Sequence, residues 1–71
     1  MKLYLISTCI KINKRYSIFH FKGYFQGEKI NEVYIEGHNF HIGAEYLMKI
    51  KPIGLQKSSL YGKILKFKKL N

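Results

Sequence analysis

Aspartate and tryptophan are missing from this 71-residue chain, and arginine, cysteine and proline occur once each, as Arg15, Cys9 and Pro52. The four carboxylates are Glu28, Glu32, Glu36 and Glu45. Only Glu32 and Glu36 fall on one face of a single strand, and at ~3.3 Å per residue they stand roughly 13 Å apart, a poor acid/base pair. There is no glycine-rich phosphate loop, nucleophile elbow or zinc-protease helix. Cys9 beside a histidine would be a nucleophilic pair, but a domain this small has little wall to exclude water. No catalytic residues are expected. A lone cysteine excludes an intrachain disulfide and suits a reducing compartment, with Cys9 as a small buried apolar side chain. His20, His38, His41 and Cys9 are the soft ligands available, too few at workable spacing for a four-ligand zinc site, so neither metal nor cofactor is expected.

Long apolar runs are also absent. No window reaches the ~18–20 apolar residues of a membrane-spanning helix, and no integral membrane association is expected. The opening MKLYLISTCI has the outline of an export signal, with one lysine and a cysteine at position 9. Its apolar run is short and interrupted by Ser7 and Thr8, so a cytoplasmic location is expected.

What the chain has in quantity is positive charge and rings. Thirteen basic residues oppose four acidic ones, a formal charge of +9, interleaved with six tyrosines and five phenylalanines. A field of that strength attracts polyanions. Twelve of the thirteen cations are lysines, however, which also fits AT-rich coding and simple solubility, since planar recognition of phosphates or bases favours arginine. Residues 1–71 suffice for one small domain, near the lower limit at which a core supports itself.

Turn-forming residues recur every 7–12 positions, at Asn13-Lys14, Gly23, Gln26 to Glu28, Gly37 to Asn39, Gly43, Pro52 to Gly54 and Ser58-Ser59, the spacing of short strands in a sandwich or barrel. Residues 2–12 place Tyr4, Ile6, Ile10 and Ile12 on one parity and Leu3, Leu5 and Cys9 on the other, which predicts a strand buried on both faces. Residues 15–25 put Phe19, Phe21 and Phe25 toward a core and Tyr16, Ile18, His20, Lys22 and Tyr24 away from it. A hairpin tip at Gln26 to Lys29 leads to a strand at about 30–36, with Val33 and Ile35 inward and Glu32, Tyr34 and Glu36 outward. Phe40 and Ile42 continue an apolar parity. Residues 44–51 alternate Tyr46, Met48 and Ile50 against Glu45, Leu47, Lys49 and Lys51, and Pro52 ends that strand or bends it. Residues 59–70 read in two ways. As a helix they carry Leu60, Ile64, Phe67 and Leu70 along one stripe, a basic amphipathic element suited to a membrane surface. As a strand they set Tyr61, Lys63, Leu65 and Phe67 against Leu60, Gly62, Ile64 and Lys66. The strand is preferred, because a fifth strand closes the sheet. The fold class expected is all-β, a five-stranded barrel of the oligonucleotide/oligosaccharide-binding (OB) or SH3-like kind.

From Gly43 onward the chain resembles the back half of an OB barrel of the ribosomal-protein-S1 and bacterial initiation-factor-one type. Gly43, a strand ending Lys49-Ile50-Lys51, the bend at Pro52 and the Gly62-Lys63-Ile64 opening of the last strand carry the likeness over about thirty residues. The front half departs from that pattern: no Gly-x-Val opens the first strand, and Val33-Tyr34-Ile35-Glu36-Gly37 stands where the family often presents a histidine. The resemblance implies an open strand-two/strand-three face that holds single-stranded nucleic acid.

The candidate nucleic-acid-binding residues are Tyr16, His20, Lys22, Tyr24 and Tyr34 on that face, with Arg15 at the preceding turn and Lys49, Lys51, Lys63 and Lys66 as a positive rim. Glu32 and Glu36 share the parity of Tyr34 and would repel a phosphate, and cross-strand pairs of tyrosines or of Lys with Glu also arise simply to stabilise a sheet. Single-stranded RNA or DNA is therefore one expected partner. The other reading is a non-catalytic protein-interaction or homo-oligomerisation module, of the kind a phage or plasmid supplies, with exposed Ile18, Tyr24 or Leu47 as its apolar patch and its charge a by-product of composition.

Overall fold

Alternation of apolar with polar residues, cut by glycine and Asx turns, builds five strands: β1 (Leu3–Ile12), β2 (Tyr16–Phe25), β3 (Glu28–Glu36), β4 (Glu45–Gln56) and β5 (Ser59–Lys69). The computed structural model describes residues 1–70. Each connection has a local cause. Between β1 and β2, the Asn13 side-chain oxygen accepts hydrogen bonds from the backbone N–H groups of Arg15 (2.9 Å) and Tyr16 (2.7 Å), an Asx turn. β2 and β3 join through Gln26 and Gly27, both at positive φ (52° and 80°), as a two-residue hairpin of primed type requires.

The strands close into a barrel in the order β1-β2-β3-β5-β4, with β4 returning to β1. All pairs are antiparallel except β3 with β5. A three-strand meander followed by a crossing that sets β5 between β3 and β4 is a Greek-key arrangement, and it agrees with the OB-like barrel of the two expected. Closure also removes the free sheet edges on which small β domains aggregate.

Leu5, Cys9, Phe19, Ile30, Val33, Ile35, Met48, Ile50 and Leu60 fill the barrel, with Phe21, Phe25 and Ile64 packed around them. Burial pushes the Cys9 thiol above its ordinary range, partly offset by backbone hydrogen bonds. Gly62 also faces inward: a Cβ there would stand 3.0 Å from Ile50 Cδ1 and 3.6 Å from Ile35 Cδ1, so the missing side chain is what lets those isoleucines meet. Two serines are buried and satisfied, Ser17 donating to Gly37 O (2.7 Å) and Ser7 to His20 O.

Five local expectations need correction. β1 is not buried on both faces: Tyr4 (65% exposed), Ile6 (58%) and Ile10 (44%) lie on the outside. Ile18, expected in an exposed patch, is 3% exposed, in register with Tyr34 on one side and Lys11 on the other. Phe40 and Ile42 do not extend a strand but sit in the β3–β4 loop, with Phe40 buried and Ile42 exposed. At Pro52 the expected bend is found and the expected strand end is not: β4 shifts register between Pro52 and Gly54, a bulge that tolerates the missing N–H, and runs on past residue 51 to Gln56. Residues 59–69 form the preferred strand, but a register shift opposite Lys49/Ile50 takes Phe67 off the face of Tyr61 expected for it and sets it opposite buried Met48. Among the described residues no helix is long and apolar enough to cross a membrane.

Phe40 stoppers one end of the barrel. Its ring lies 5.0 Å from Phe19 and from Tyr46, both edge-on, and 4.7 Å from Phe67. Two backbone bonds, from Gly43 N to Cys9 O (2.7 Å) and Cys9 N to Ala44 O (3.0 Å), hold the loop in place, and the His41 N–H donates to the Tyr46 side-chain hydroxyl (2.8 Å). Phe40→Ala removes a ring shared by three others and should destabilise the domain by about 3–5 kcal/mol, read as a fall in the urea midpoint. A loss below about 1 kcal/mol would show that the loop is not part of the core.

Candidate functional site

Outward side chains of a closed barrel form bands along its strands, and register decides which residues become neighbours. On β2, β3 and β5 the pairing sets Tyr16 opposite Glu36, His20 opposite Glu32 and Tyr34 opposite Tyr61. Three tyrosines therefore gather. The Tyr34 and Tyr61 rings stack at 4.8 Å, and Tyr16 meets both edge-on at 5.6 and 5.5 Å. Burial, then the nearby Glu32 carboxylate, pushes the Tyr34 phenol up, so it stays neutral at physiological pH. At the edge of this cluster Arg15 Nε donates to Glu36 Oε2 (3.1 Å), and the Arg15 guanidinium lies 5.4 Å from the Tyr16 ring centre.

β4 and β5 bring the later lysines together. Lys49 stands directly opposite Lys66, and Lys51 directly opposite Lys63. Beyond them Lys68 faces Leu47, while on β1 Tyr4 faces Lys49, whose ammonium lies 5.5 Å from the Tyr4 ring centre. Among the described residues the one ion pair is Arg15–Glu36, so the lysine band carries no compensating carboxylate. Like charges directly opposite across a sheet destabilise it, by roughly 0.2–1 kcal/mol per pair. Lys63 links the two bands, sharing an open groove of about 370 Å³ with Arg15, Tyr16, Glu36 and Tyr61.

The structure thus divides the sequence-derived set. Arg15, Tyr16, Tyr34 and Lys63 adjoin, and Lys49 and Lys51 continue from Lys63 along β4. His20 and Lys22 lie elsewhere, in a shallow groove toward β1 shared with Ile6, Thr8 and Glu45. Tyr24 is exposed at the far end of the β2–β3 hairpin, opposite Lys29. Sequence reasoning missed Tyr61, Tyr4 and Lys68. Tyr61 shares parity with Lys63, but the parallel strand that places it against Tyr34 comes from a crossover and leaves no local signal. Among the described residues no three histidine, cysteine or glutamate side chains converge as a metal site. No protein-family model, curated protein or solved structure gives a significant match to the chain.

The opposed lysines yield a direct test. Lys66→Glu turns a repulsive cross-strand pair into an attractive one and should raise stability by a few tenths to about 1 kcal/mol, more at low salt than at high. A stability unchanged at low salt would show that the two ammonium groups do not feel each other.

Proposed function

We propose that this barrel binds single-stranded nucleic acid, RNA or DNA, as a non-catalytic cytoplasmic domain, with phosphates along the β4–β5 lysines and bases against the tyrosines beside them. The observation that carries the proposal is the double lysine register, Lys49 with Lys66 and Lys51 with Lys63. Mutual repulsion makes that arrangement unfavourable for folding alone, and a polyanion laid along it turns the same charges into attraction. Composition drift supplies lysines, but it gives no reason for four of them to face each other in pairs without an acid between. Lysine in place of arginine suits point-charge contact with a backbone. Rings at the border of a cationic track supply stacking platforms for unpaired bases, which a duplex keeps covered. The likeness of the back half to barrels of the ribosomal-protein-S1 and initiation-factor-one type supports the same reading.

The exposed strip of Tyr4, Ile6 and Leu47, in register across β1 and β4, favours a second reading as a docking surface for a protein partner or a second copy. A salt-insensitive oligomer in light scattering is the result that would select it.

Titration of a fluorescent 15-nucleotide single strand by anisotropy tests the proposal. Four phosphate contacts predict a slope of log K against log salt near −3 and a roughly 50-fold loss between 50 and 200 mM salt. Replacing Lys49 and Lys63 together by alanine should about halve that slope. Absence of binding at 50 mM salt, or binding indifferent to salt, would overturn the proposal.

A further inference from the structure

One feature of the proposed surface is at odds with simple phosphate attraction. Glu36 stands exposed at its edge, in the groove that Lys63 and the tyrosines line, and Arg15 holds it in place. Both partners are about 70% exposed (70% and 68%), where an isolated ion pair contributes little to folding. Their side-by-side arrangement does have a recognition value. Arg15 engages Glu36 through Nε, on one carboxylate oxygen, Oε2. A guanidinium has five N–H donors and a carboxylate about four lone-pair sites, so each keeps capacity to spare. Together the pair sets free N–H donors beside carboxylate acceptors.

A guanine Watson–Crick edge reads acceptor, donor, donor: O6, N1–H and the N2 amino group. That edge complements N–H donors set beside a carboxylate. Adenine and cytosine each offer the carboxylate only one amino group on this edge, and uracil or thymine only one ring N–H. We infer that the groove between Arg15, Glu36 and Tyr61 is a guanine-selective base site, in which Glu36 accepts from N1–H and N2–H and Arg15 donates to O6. The inference rests on the single-strand reading above and names the base that this part of the surface prefers.

The groove has the other parts such a site needs. Tyr16 and Tyr61 offer ring surface for stacking a splayed base, and Ile53, 67% exposed on β4, forms an apolar wall. Lys63 stands at the groove to meet the flanking phosphate. The purine lies flat against one tyrosine ring, since the planes of Tyr16 and Tyr61 stand 75° apart, with Ile53 beside it and its polar edge toward the ion pair. This accounts for an acid on a cationic surface: it selects a base and does not hold phosphate.

The test uses the full chain and four oligonucleotides of equal length and salt: an all-thymidine strand, and the same strand with one central guanosine, inosine or adenosine. A bidentate contact of this kind predicts roughly tenfold tighter binding of the guanosine strand than of the thymidine or adenosine strands. Inosine lacks the N2 amino group and should lose most of that gain. Glu36→Gln should bring the guanosine-to-thymidine ratio close to one. Equal binding of all four strands by the wild-type chain would overturn the guanine site while leaving the lysine track standing. No binding of any strand at 50 mM salt would overturn both. The inosine comparison needs no variant, so it decides the matter even if Glu36→Gln perturbs the fold.

Discussion

The pairing of β4 with β5 sets Met48 against Phe67 and Ile50 against Ile64 on the inner side of the sheet, and by the same register it sets Lys49 against Lys66 and Lys51 against Lys63 on the outer side. The two faces cannot be adjusted separately. A one-residue slip would turn the apolar set to solvent and the ammonium groups into the core, so the cost of burying charge holds the register while the repulsion outside strains it. In a domain whose whole stability is of the order of 5–10 kcal/mol, two opposed lysine pairs at up to about 1 kcal/mol each are a sizeable concession. On the proposed reading, a phosphate backbone laid along the lysine surface would neutralise it.

The remaining strands make that concession tolerable. β1 pairs with both β2 and β4 and so closes the barrel, while Phe40 fills the end that the β3–β4 loop covers. Glycine at position 62 leaves room inside the barrel for the Ile35 and Ile50 side chains, which a Cβ there would crowd. The parallel register of β3 with β5 sets Tyr61 alongside Tyr34, and so joins the tyrosine cluster to the lysine band at Lys63.

Much of this was legible in the residues. Val33 and Ile35, and Tyr46, Met48 and Ile50, alternate so cleanly with polar neighbours that strand and inner face follow together. Where both parities are apolar, alternation reveals a strand but not its inner side, which is why Tyr4, Ile6 and Ile10 read as buried. Bulges defeat parity altogether: the shift opposite Lys49/Ile50 moved Phe67 from the face of Tyr61 to that of Met48. Ile18 kept its outward parity yet lies buried on the tyrosine side, because burial there depends on neighbours from β1 and β3 that are distant in sequence. For the candidate site, the lysines of β4 and β5 were visible as residues, but their opposition was not, since register between strands depends on the turn and the bulge. Tyr24, Lys22 and His20 were grouped with them by shared parity alone, and the barrel's curvature carries them elsewhere.

In the binding mode proposed, a single strand follows the β4–β5 lysines and the adjoining tyrosines. Backbone amide shifts of the isotopically labelled chain, recorded at 50 mM salt while an unlabelled oligonucleotide is added, measure this most directly. The expected shifts concentrate at Lys49, Lys51, Tyr61, Lys63 and Lys66 and are reversed by added salt. Shifts confined to the Tyr24 end of the β2–β3 hairpin, or to the His20–Lys22 groove, would contradict it.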